Sequence, residues 1–265
     1  MTAMNQFAAG QIVLTAISPY VVGVFPKRNA GHDIWTYATG TPIDFGGARF
    51  LLTAAHVLAD FDANVNGPPD DIVFLPPPPG GFLISELTDG ARYAKSQRWD
   101  LARCIGNKDL DLAAILFNTP PQVEFFALLP DAVAPRPATQ VAICGYPFAK
   151  SKAVAVLAED RFRDLALLDF QCATVLEPAS DSGLRSCQFA VDYPSIPGIV
   201  NPRGYSGSMV WYDRAGCGTL EELGERLSMA AAGVVTDYIG PKQSLRCTKI
   251  DLVIEFIKRQ VMPSI

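Results

Sequence analysis

Arg-Gly-Tyr-Ser-Gly-Ser-Met-Val-Trp, residues 203–211, places Ser206 between two glycines, directly before an apolar run typical of a buried strand. Small neighbours let the backbone turn sharply, leave the hydroxyl accessible and direct main-chain N–H groups toward one point. A serine nucleophile needs such a point, because its attack on a carbonyl creates an oxyanion. Glycine and serine also crowd ordinary turns, so the pattern indicates a nucleophile only if a base and an orienting carboxylate accompany it.

Histidine is the usual base for such a serine, and the chain has only two, His32 and His56. His56 follows an apolar strand-like run and two alanines, which would anchor its ring on rigid structure. His32 lies in a polar Gly-His-Asp turn. We therefore predict that His56 is the base, the alternative being a structural histidine held by hydrogen bonds.

The orienting carboxylate is predicted at Asp111, because six apolar residues follow it and a charge in such a place is costly unless it is paired. A strand-end cap is the alternative for this residue. Asp109 lies two residues earlier, on the same face of an extended chain, and Asp100 is a second possible site. The histidine and the aspartate fall in the first half of the chain and the serine in the second, so we expect a cleft between two lobes.

Composition narrows the class of protein. The chain has 265 residues, is 49% hydrophobic and carries a net charge of −5. These values suit one large β domain or two small halves better than a set of modules, and they argue against nucleic acid or an anionic membrane as a partner. No secretory signal opens the chain and no apolar run approaches the roughly 20 residues of a membrane span, so we expect a soluble, cytoplasmic protein.

Cysteine and histidine spacing gives no sign of a metal site or a cofactor. The six cysteines include no Cys-x-x-Cys pair, and neither histidine has a ligand-spaced neighbour. We expect the thiols to be reduced and predict no cofactor.

Short strand-like runs dominate the rest of the chain, among them a hairpin with a turn at Gly46-Gly47 and an opening strand within 11–25. Helical spacing of apolar residues appears at the end, over 249–261. About a dozen strands and few helices predict an all-β domain over 1–265. Its parts would be an N-terminal barrel at about 11–120, a linker at 121–138, a C-terminal barrel at 139–247 and the terminal helix.

Three segments resemble the catalytic motifs of the trypsin/chymotrypsin superfamily, in its order of His, Asp and Ser: Leu-Leu-Thr-Ala-Ala-His at 51–56, Asp-Leu-Ala-Ala-Ile at 111–115 and Gly-Tyr-Ser-Gly-Ser at 204–208. Ala-Ile-Cys-Gly-Tyr-Pro at 142–147 is similar to a segment of bacterial trypsin-like peptidases, including the high-temperature-requirement type. The resemblance spans roughly residues 12–260. It implies a chymotrypsin-like fold of two six-stranded antiparallel barrels with the active site between them.

The resemblance also implies a mechanism. Ser206 would attack a peptide carbonyl, His56 would accept its proton and pass it to the leaving amine, and Asp111 would hold the imidazole tautomer. The N–H groups of Gly204 and Ser206 would form the oxyanion hole. Thr236 would place its hydroxyl near Asp111. The activity implied is that of a serine endopeptidase acting on a protein or peptide, often under the control of a regulatory protein.

Substrate contacts follow from the same resemblance. Strand residues 236–238 would pair with the substrate backbone, and the pocket wall would include residues near 200 and 238; these positions hold Val200, Asn201, Thr236, Asp237 and Tyr238. No carboxylate stands about six residues before Ser206, so we expect cleavage after a neutral or apolar residue.

Several positions depart from the family pattern. Tyr205 stands where secreted digestive members have an aspartate, so we expect no activation by zymogen cleavage. Ser208 replaces a second glycine, and we expect neither a disulfide around His56 nor an appended peptide-binding module. Two other functions stay open: a catalytically silent scaffold whose oxyanion hole forms only when a partner docks, and an esterase.

Overall fold

A computed structural model describes residue 10 and residues 12–26, 38–59, 72–75, 99–146, 169–178, 183–193, 204–214, 228–239 and 244–265. His32, Val200 and Asn201 lie outside the described residues.

The strands of the first sheet lead into the segments that hold His56 and Asp111. The main path of this sheet follows the order β4-β1-β2-β3-β6-β5, and β7 pairs in parallel with β2 outside that path. The strands are β1 (Val22–Pro26), β2 (Ala38–Phe45), β3 (Ala48–Thr53), β4 (Ile72–Leu75), β5 (Leu101–Asn107), β6 (Leu112–Phe117) and β7 (Phe126–Ala127).

The turn between β2 and β3 confirms the predicted hairpin. Gly46 and Gly47 have φ angles of +62° and +88°, which glycine adopts without the steric cost that a β-carbon brings. The strands pair antiparallel from Phe45 with Ala48 to Thr41 with Leu52. A short helix, Ala55–Ala59, follows β3 after a single residue, so the hairpin leads directly to His56.

The second sheet is antiparallel throughout, in the order β10-β13-β12-β11-β8-β9. Its strands are β8 (Gln140–Gly145), β9 (Asp169–Thr174), β10 (Gln188–Asp192), β11 (Met209–Asp213), β12 (Met229–Ile239) and β13 (Ser244–Lys249). The serine loop, residues 204–208, directly precedes strand β11. Residues 118–139 connect β6 to β8; they include the predicted linker region and, within it, β7 of the first sheet.

The mostly-β architecture and the two six-stranded paths confirm the coarse prediction, but two closed barrels are not what the described residues show. One sheet curves into a half-barrel, and within the described ranges neither sheet is closed by a full ladder. Within the described part of the second sheet, an isolated bridge pairs Val175, directly after β9, with Val191 in β10, the strand at the other end. The predicted opening strand is correct only in its second part, because residues 12–17 are helical.

Three apolar clusters hold this arrangement together. One lies against the first sheet, around Leu51 and Phe74, and another belongs to the second sheet, around Val210 and Tyr205. The third cluster contains side chains from both sheets, among them Phe50 and Trp211. Burial of apolar surface from both sheets in one cluster fixes one sheet against the other.

The predicted terminal helix is confirmed as an α-helix over Ile250–Phe256, continued by a turn of π-helix over Ile257–Val261. Its apolar residues at helical spacing, Ile250, Val253, Ile254 and Ile257, are buried in the shared cluster. The helix therefore covers the core between the two sheets.

Candidate active site

His56 and Asp111 are in direct contact. The ring Nδ1 of His56 lies 2.7 Å from Oδ2 of Asp111, and the backbone N–H of His56 donates to Oδ1 at 2.8 Å. The two-point contact fixes the rotation of the carboxylate as well as its distance. A carboxylate at Nδ1 favours the tautomer that carries the proton there, which leaves Nε2 as the basic nitrogen of the ring.

The backbone of Asp111 is itself unusual, since its φ angle is +52°. Aspartate tolerates this left-handed region better than most residues. The carbonyl of Asp111 accepts the N–H of Ala55 at 3.1 Å, so backbone and side chain together bind two successive N–H groups at the start of the short helix. The conformation is held by these contacts to the histidine segment.

The other two candidate carboxylates lie elsewhere. The Nδ2 of Asn118 donates to Asp100 at 2.9 Å, away from the histidine. Asp109 sits in a turn in which Asn107 accepts the N–H groups of residues 109 and 110, both at 3.1 Å. The alternation of an extended chain therefore does not apply between Asp109 and Asp111, and only Asp111 contacts His56 among the three.

The turn at residues 108–111, which ends at Asp111, also contacts the second half of the chain. The buried hydroxyl of Thr248 in β13 donates to the carbonyl of Leu110 at 2.7 Å, and Arg185 donates to the carbonyl of Asp109 at 3.0 Å. Both contacts act on the two residues that precede Asp111. The position of the carboxylate thus depends on both sheets.

The serine loop is docked on the strand that leads to the histidine. A β-carbon at Gly207 would lie 2.3 Å from Oγ1 of Thr53 and 3.1 Å from the backbone N of Ala54. Ala54 is two residues before His56 along the chain. The residue that follows Ser206 is therefore in contact with the segment that positions the imidazole, as expected for a serine and a base that work together.

Two glycines shape the loop. Gly204 and Gly207 have φ angles of +106° and +87°, a region that favours glycine. The N–H of Gly207 donates to the carbonyl of Val235 and the N–H of Ser208 to that of Tyr205, both at 2.8 Å. Within the described part of the chain, the N–H groups of Gly204 and Ser206 donate to no acceptor, and these are the two predicted oxyanion donors.

Tyr205 anchors the loop in the core of the second sheet. Its side chain is fully buried and packs edge-on against Tyr193, with ring centroids 6.0 Å apart. The buried hydroxyl of Ser208 has no hydrogen-bond partner among the described residues, and a β-carbon at Gly145 would lie 2.5 Å from it. The residues on both sides of Ser206 are thus held by tight packing.

Strand β12 extends past the loop. It pairs with β11 only as far as Val234 opposite Met209, whereas Asp237 and Tyr238 pair with β13 on the other side. No described strand lies along the remaining edge of residues 236–239. Such an edge can accept an extended peptide as an added strand.

The side chains on this edge have partners that the sequence did not indicate. The Thr236 hydroxyl donates to the carbonyl of Arg246 at 3.3 Å, and its predicted approach to Asp111 stays a prediction. The exposed carboxylate of Asp237 lies 3.7 Å from the guanidinium of the half-buried Arg246, and the ring of Tyr238 packs against Tyr193.

One further residue at the site was missed by sequence reasoning. Thr39 in β2 is fully buried, and it binds the serine loop through its backbone N–H and its hydroxyl. It stands in a run rich in β-branched residues, which predicts a strand and nothing more specific.

No protein-family model matches the chain, and no curated protein sequence matches it. Among the described residues, no helix has both the length and the apolar character required to cross a bilayer. The same residues contain no group of three metal-ligating side chains.

Proposed function

We propose that this protein is a serine endopeptidase of chymotrypsin-like fold, with Ser206 as nucleophile, His56 as general base and Asp111 as the residue that orients the base. The observation that carries the proposal is the His56–Asp111 contact at 2.7 Å, made beside the strand end on which Gly207 is docked. Acyl transfer requires an imidazole held by a carboxylate and a serine within its reach. The first is observed, and the docking of Gly207 at Thr53 and Ala54 supports the second.

In the proposed first step, Nε2 of His56 takes the proton of the Ser206 hydroxyl as the oxygen attacks a peptide carbonyl. The imidazolium that forms keeps its Nδ1 proton in the hydrogen bond to Asp111, which stabilises the positive charge. His56 then gives its Nε2 proton to the leaving amine, and an acyl-enzyme remains. Attack by water, with His56 again as the base, releases the acid and restores the serine.

The negative charge on the tetrahedral intermediate needs donors that are in place before the reaction. The N–H groups of Gly204 and Ser206, which have no acceptor within the described chain, supply them in this proposal. One such donor is worth about 3 kcal/mol of barrier. Two available donors in a glycine-shaped loop favour a working enzyme over a scaffold whose oxyanion hole is not formed.

The substrate would bind as an extended strand along the open edge of Thr236, Asp237 and Tyr238, whose strand also binds the serine loop. Backbone pairing of this kind gives affinity with little demand on side chains. Val200 and Asn201 would complete the pocket for the residue before the cut, and we propose that this residue is neutral or apolar. The buried Tyr205 supports activity without zymogen cleavage, since no carboxylate occupies its position.

A library of peptides of defined sequence, read by mass spectrometry, tests the proposal. The wild-type chain should cut internal peptide bonds and the Ser206→Ala variant should cut none. Ester hydrolysis without peptide cleavage would show an esterase. If neither substrate is turned over and Ser206 takes up no acylating or phosphonylating reagent, the scaffold alternative holds. Cleavage mainly after Arg or Lys would overturn only the proposed specificity and would leave the proposed endopeptidase activity standing.

A further inference from the structure

Each polar atom of Thr39 makes a hydrogen bond to the serine loop or to a residue that packs against that loop. Its backbone N–H donates to the carbonyl of Ser206 at 2.9 Å, and its hydroxyl donates to the carbonyl of Gly204 at 2.7 Å. The hydroxyl also accepts the N–H of Tyr146 at 3.1 Å, and the Thr39 carbonyl accepts the hydroxyl of Thr53 at 2.7 Å. The residue is fully buried, so these are the hydrogen bonds that satisfy it.

We infer that Thr39 is a positioning residue for the oxyanion hole, an inference that rests on the proposed function. The carbonyls of Gly204 and Ser206 are both bound to Thr39, which directs them toward the first sheet. The N–H groups of the same two residues take no part in these bonds. The hydroxyl of Thr39 thus fixes the peptide between Gly204 and Tyr205. The two oxyanion N–H groups belong to the peptides on either side of it, so fixing this central peptide holds both donors in place.

Glycine makes such an anchor necessary. Gly204 has a φ angle of +106° and no β-carbon, so the local chain has little intrinsic preference for one orientation of its peptide planes. The 2.7 Å hydrogen bond from Thr39, which lies outside the loop, favours one orientation of the peptide that follows Gly204. Without it, the Gly204 carbonyl would be buried without that donor, and rotation of the peptide toward another partner would be favoured.

The same hydroxyl connects the two sheets at this point. Tyr146 directly follows β8 of the second sheet, whereas Thr39 belongs to β2 of the first. There is little free space around the junction, since a β-carbon at Gly145 would lie 2.8 Å from the Thr39 hydroxyl. A displacement of one sheet against the other would therefore shift the Thr39 hydroxyl and, with it, the Gly204 carbonyl that it binds.

Substitution of Thr39 tests the inference in the full chain, with kcat and KM measured on one cleaved peptide. Thr39→Val keeps the shape but removes the hydroxyl. We expect kcat to fall about 10- to 100-fold, less than for complete loss of an oxyanion donor, with KM within about twofold. Thr39→Ser keeps the hydroxyl and should retain kcat within about threefold of wild type.

Thr41→Val is the matched control, because Thr41 lies on the same strand and its buried hydroxyl has no partner among the described residues. It should leave kcat unchanged. If Thr39→Val does not fold, as judged by circular dichroism, the comparison of Thr39→Ala with Thr39→Ser replaces it, and alanine must show the loss while serine does not.

A folded Thr39→Val or Thr39→Ala variant with wild-type kcat would overturn the inference, and so would equal losses in the hydroxyl and non-hydroxyl variants. An active wild-type enzyme keeps these outcomes separate from failure of the proposed function. If the wild-type chain neither cuts peptides nor reacts with a fluorophosphonate, the proposed function fails and the inference fails with it.

Discussion

Gly207 lies so close to Thr39 that a β-carbon on the glycine would be 2.0 Å from the threonine's carbonyl oxygen. No side chain can occupy such a space, and the obstacle is backbone, which cannot move as a flexible side chain would. The contact joins the serine loop of the second half of the chain to β2 of the first. The relative position of the proposed nucleophile and base therefore depends on this glycine.

Gly207→Ala should be strongly destabilising. The alanine would be strained by the φ angle of +87° and would also collide with Thr39. We therefore expect a loss of about 3 kcal/mol or more in the free energy of unfolding. Any folded fraction should have lost its reactivity at Ser206. Urea unfolding followed by tryptophan fluorescence measures the first quantity.

Gly46→Ala is the control for this experiment. Gly46 has a similar φ angle of +62°, but no atom of the described residues lies within 4 Å of the point that its β-carbon would occupy. Only the conformational cost of about 1 kcal/mol therefore applies. Equal losses in the two variants would show that the docking contact of Gly207 has no energetic importance.

Asp111→Asn should lower kcat without disturbing the fold. Asparagine tolerates the positive φ angle, but its neutral amide neither enforces the Nδ1 tautomer of His56 nor stabilises the imidazolium. The expected fall in kcat is on the order of 10⁴, the effect of the same change in a trypsin-type triad. Asp109→Asn is the control: it lies two residues away, has no contact with the ring and should retain the wild-type rate. A similar fall in that variant would show that the orienting role cannot be assigned to Asp111 on this evidence.

Thr41→Val should stabilise the protein. The Thr41 hydroxyl is buried and has no hydrogen-bond partner in the described ranges, and valine replaces it with a methyl group of similar size. We expect a gain of about 1 kcal/mol in the free energy of unfolding. Thr53→Val should have the opposite effect by a similar amount, since the Thr53 hydroxyl donates to the Thr39 carbonyl at 2.7 Å. Thermal unfolding of the two variants side by side distinguishes them, and a change of the same sign in both would contradict the hydrogen-bond assignments.

The buried cysteines should be unreactive at the pH where a serine peptidase works. Burial raises the pKa of Cys104 to about 11 and also raises the pKa of Cys247. Both therefore stay as neutral thiols well above the pH at which an ordinary thiol ionises, and the thiolate is the reactive form. Iodoacetamide at about pH 8, near the ordinary thiol pKa, should leave both residues unmodified and the activity unchanged. Peptide mapping after the reaction measures the modification. Inhibition that follows alkylation of either one would point to a thiol nucleophile.

Features that depend on neighbouring residues could be predicted from the sequence. The hairpin at Gly46-Gly47 depends on local backbone preferences, and the C-terminal helix on the spacing of its own apolar residues. The choice of Asp111 depended on the cost of a charge before a buried strand, and the structure brings that residue to His56. Each signal lies within a short stretch of chain.

Features that depend on distant contacts could not be predicted in this way. Thr39 owes its position at the site to a partner 165 residues away, for which one sequence holds no signal. Residues 12–17 are apolar enough for either a strand or a helix, and their helical form is decided by packing against the shared cluster, in which Leu14 and Ile17 are buried. The local turn made by Asn107 likewise cancels the alternation that we expected at Asp109.

The most direct test is to locate a fluorophosphonate adduct by mass spectrometry of the digested wild-type chain, beside His56→Ala and Asp111→Asn. If Ser206 is activated by the imidazole and the carboxylate, the adduct will be on Ser206 alone and its rate of formation will fall in both variants. An adduct on another residue, or labelling of Ser206 at the same rate in all three proteins, would contradict the triad.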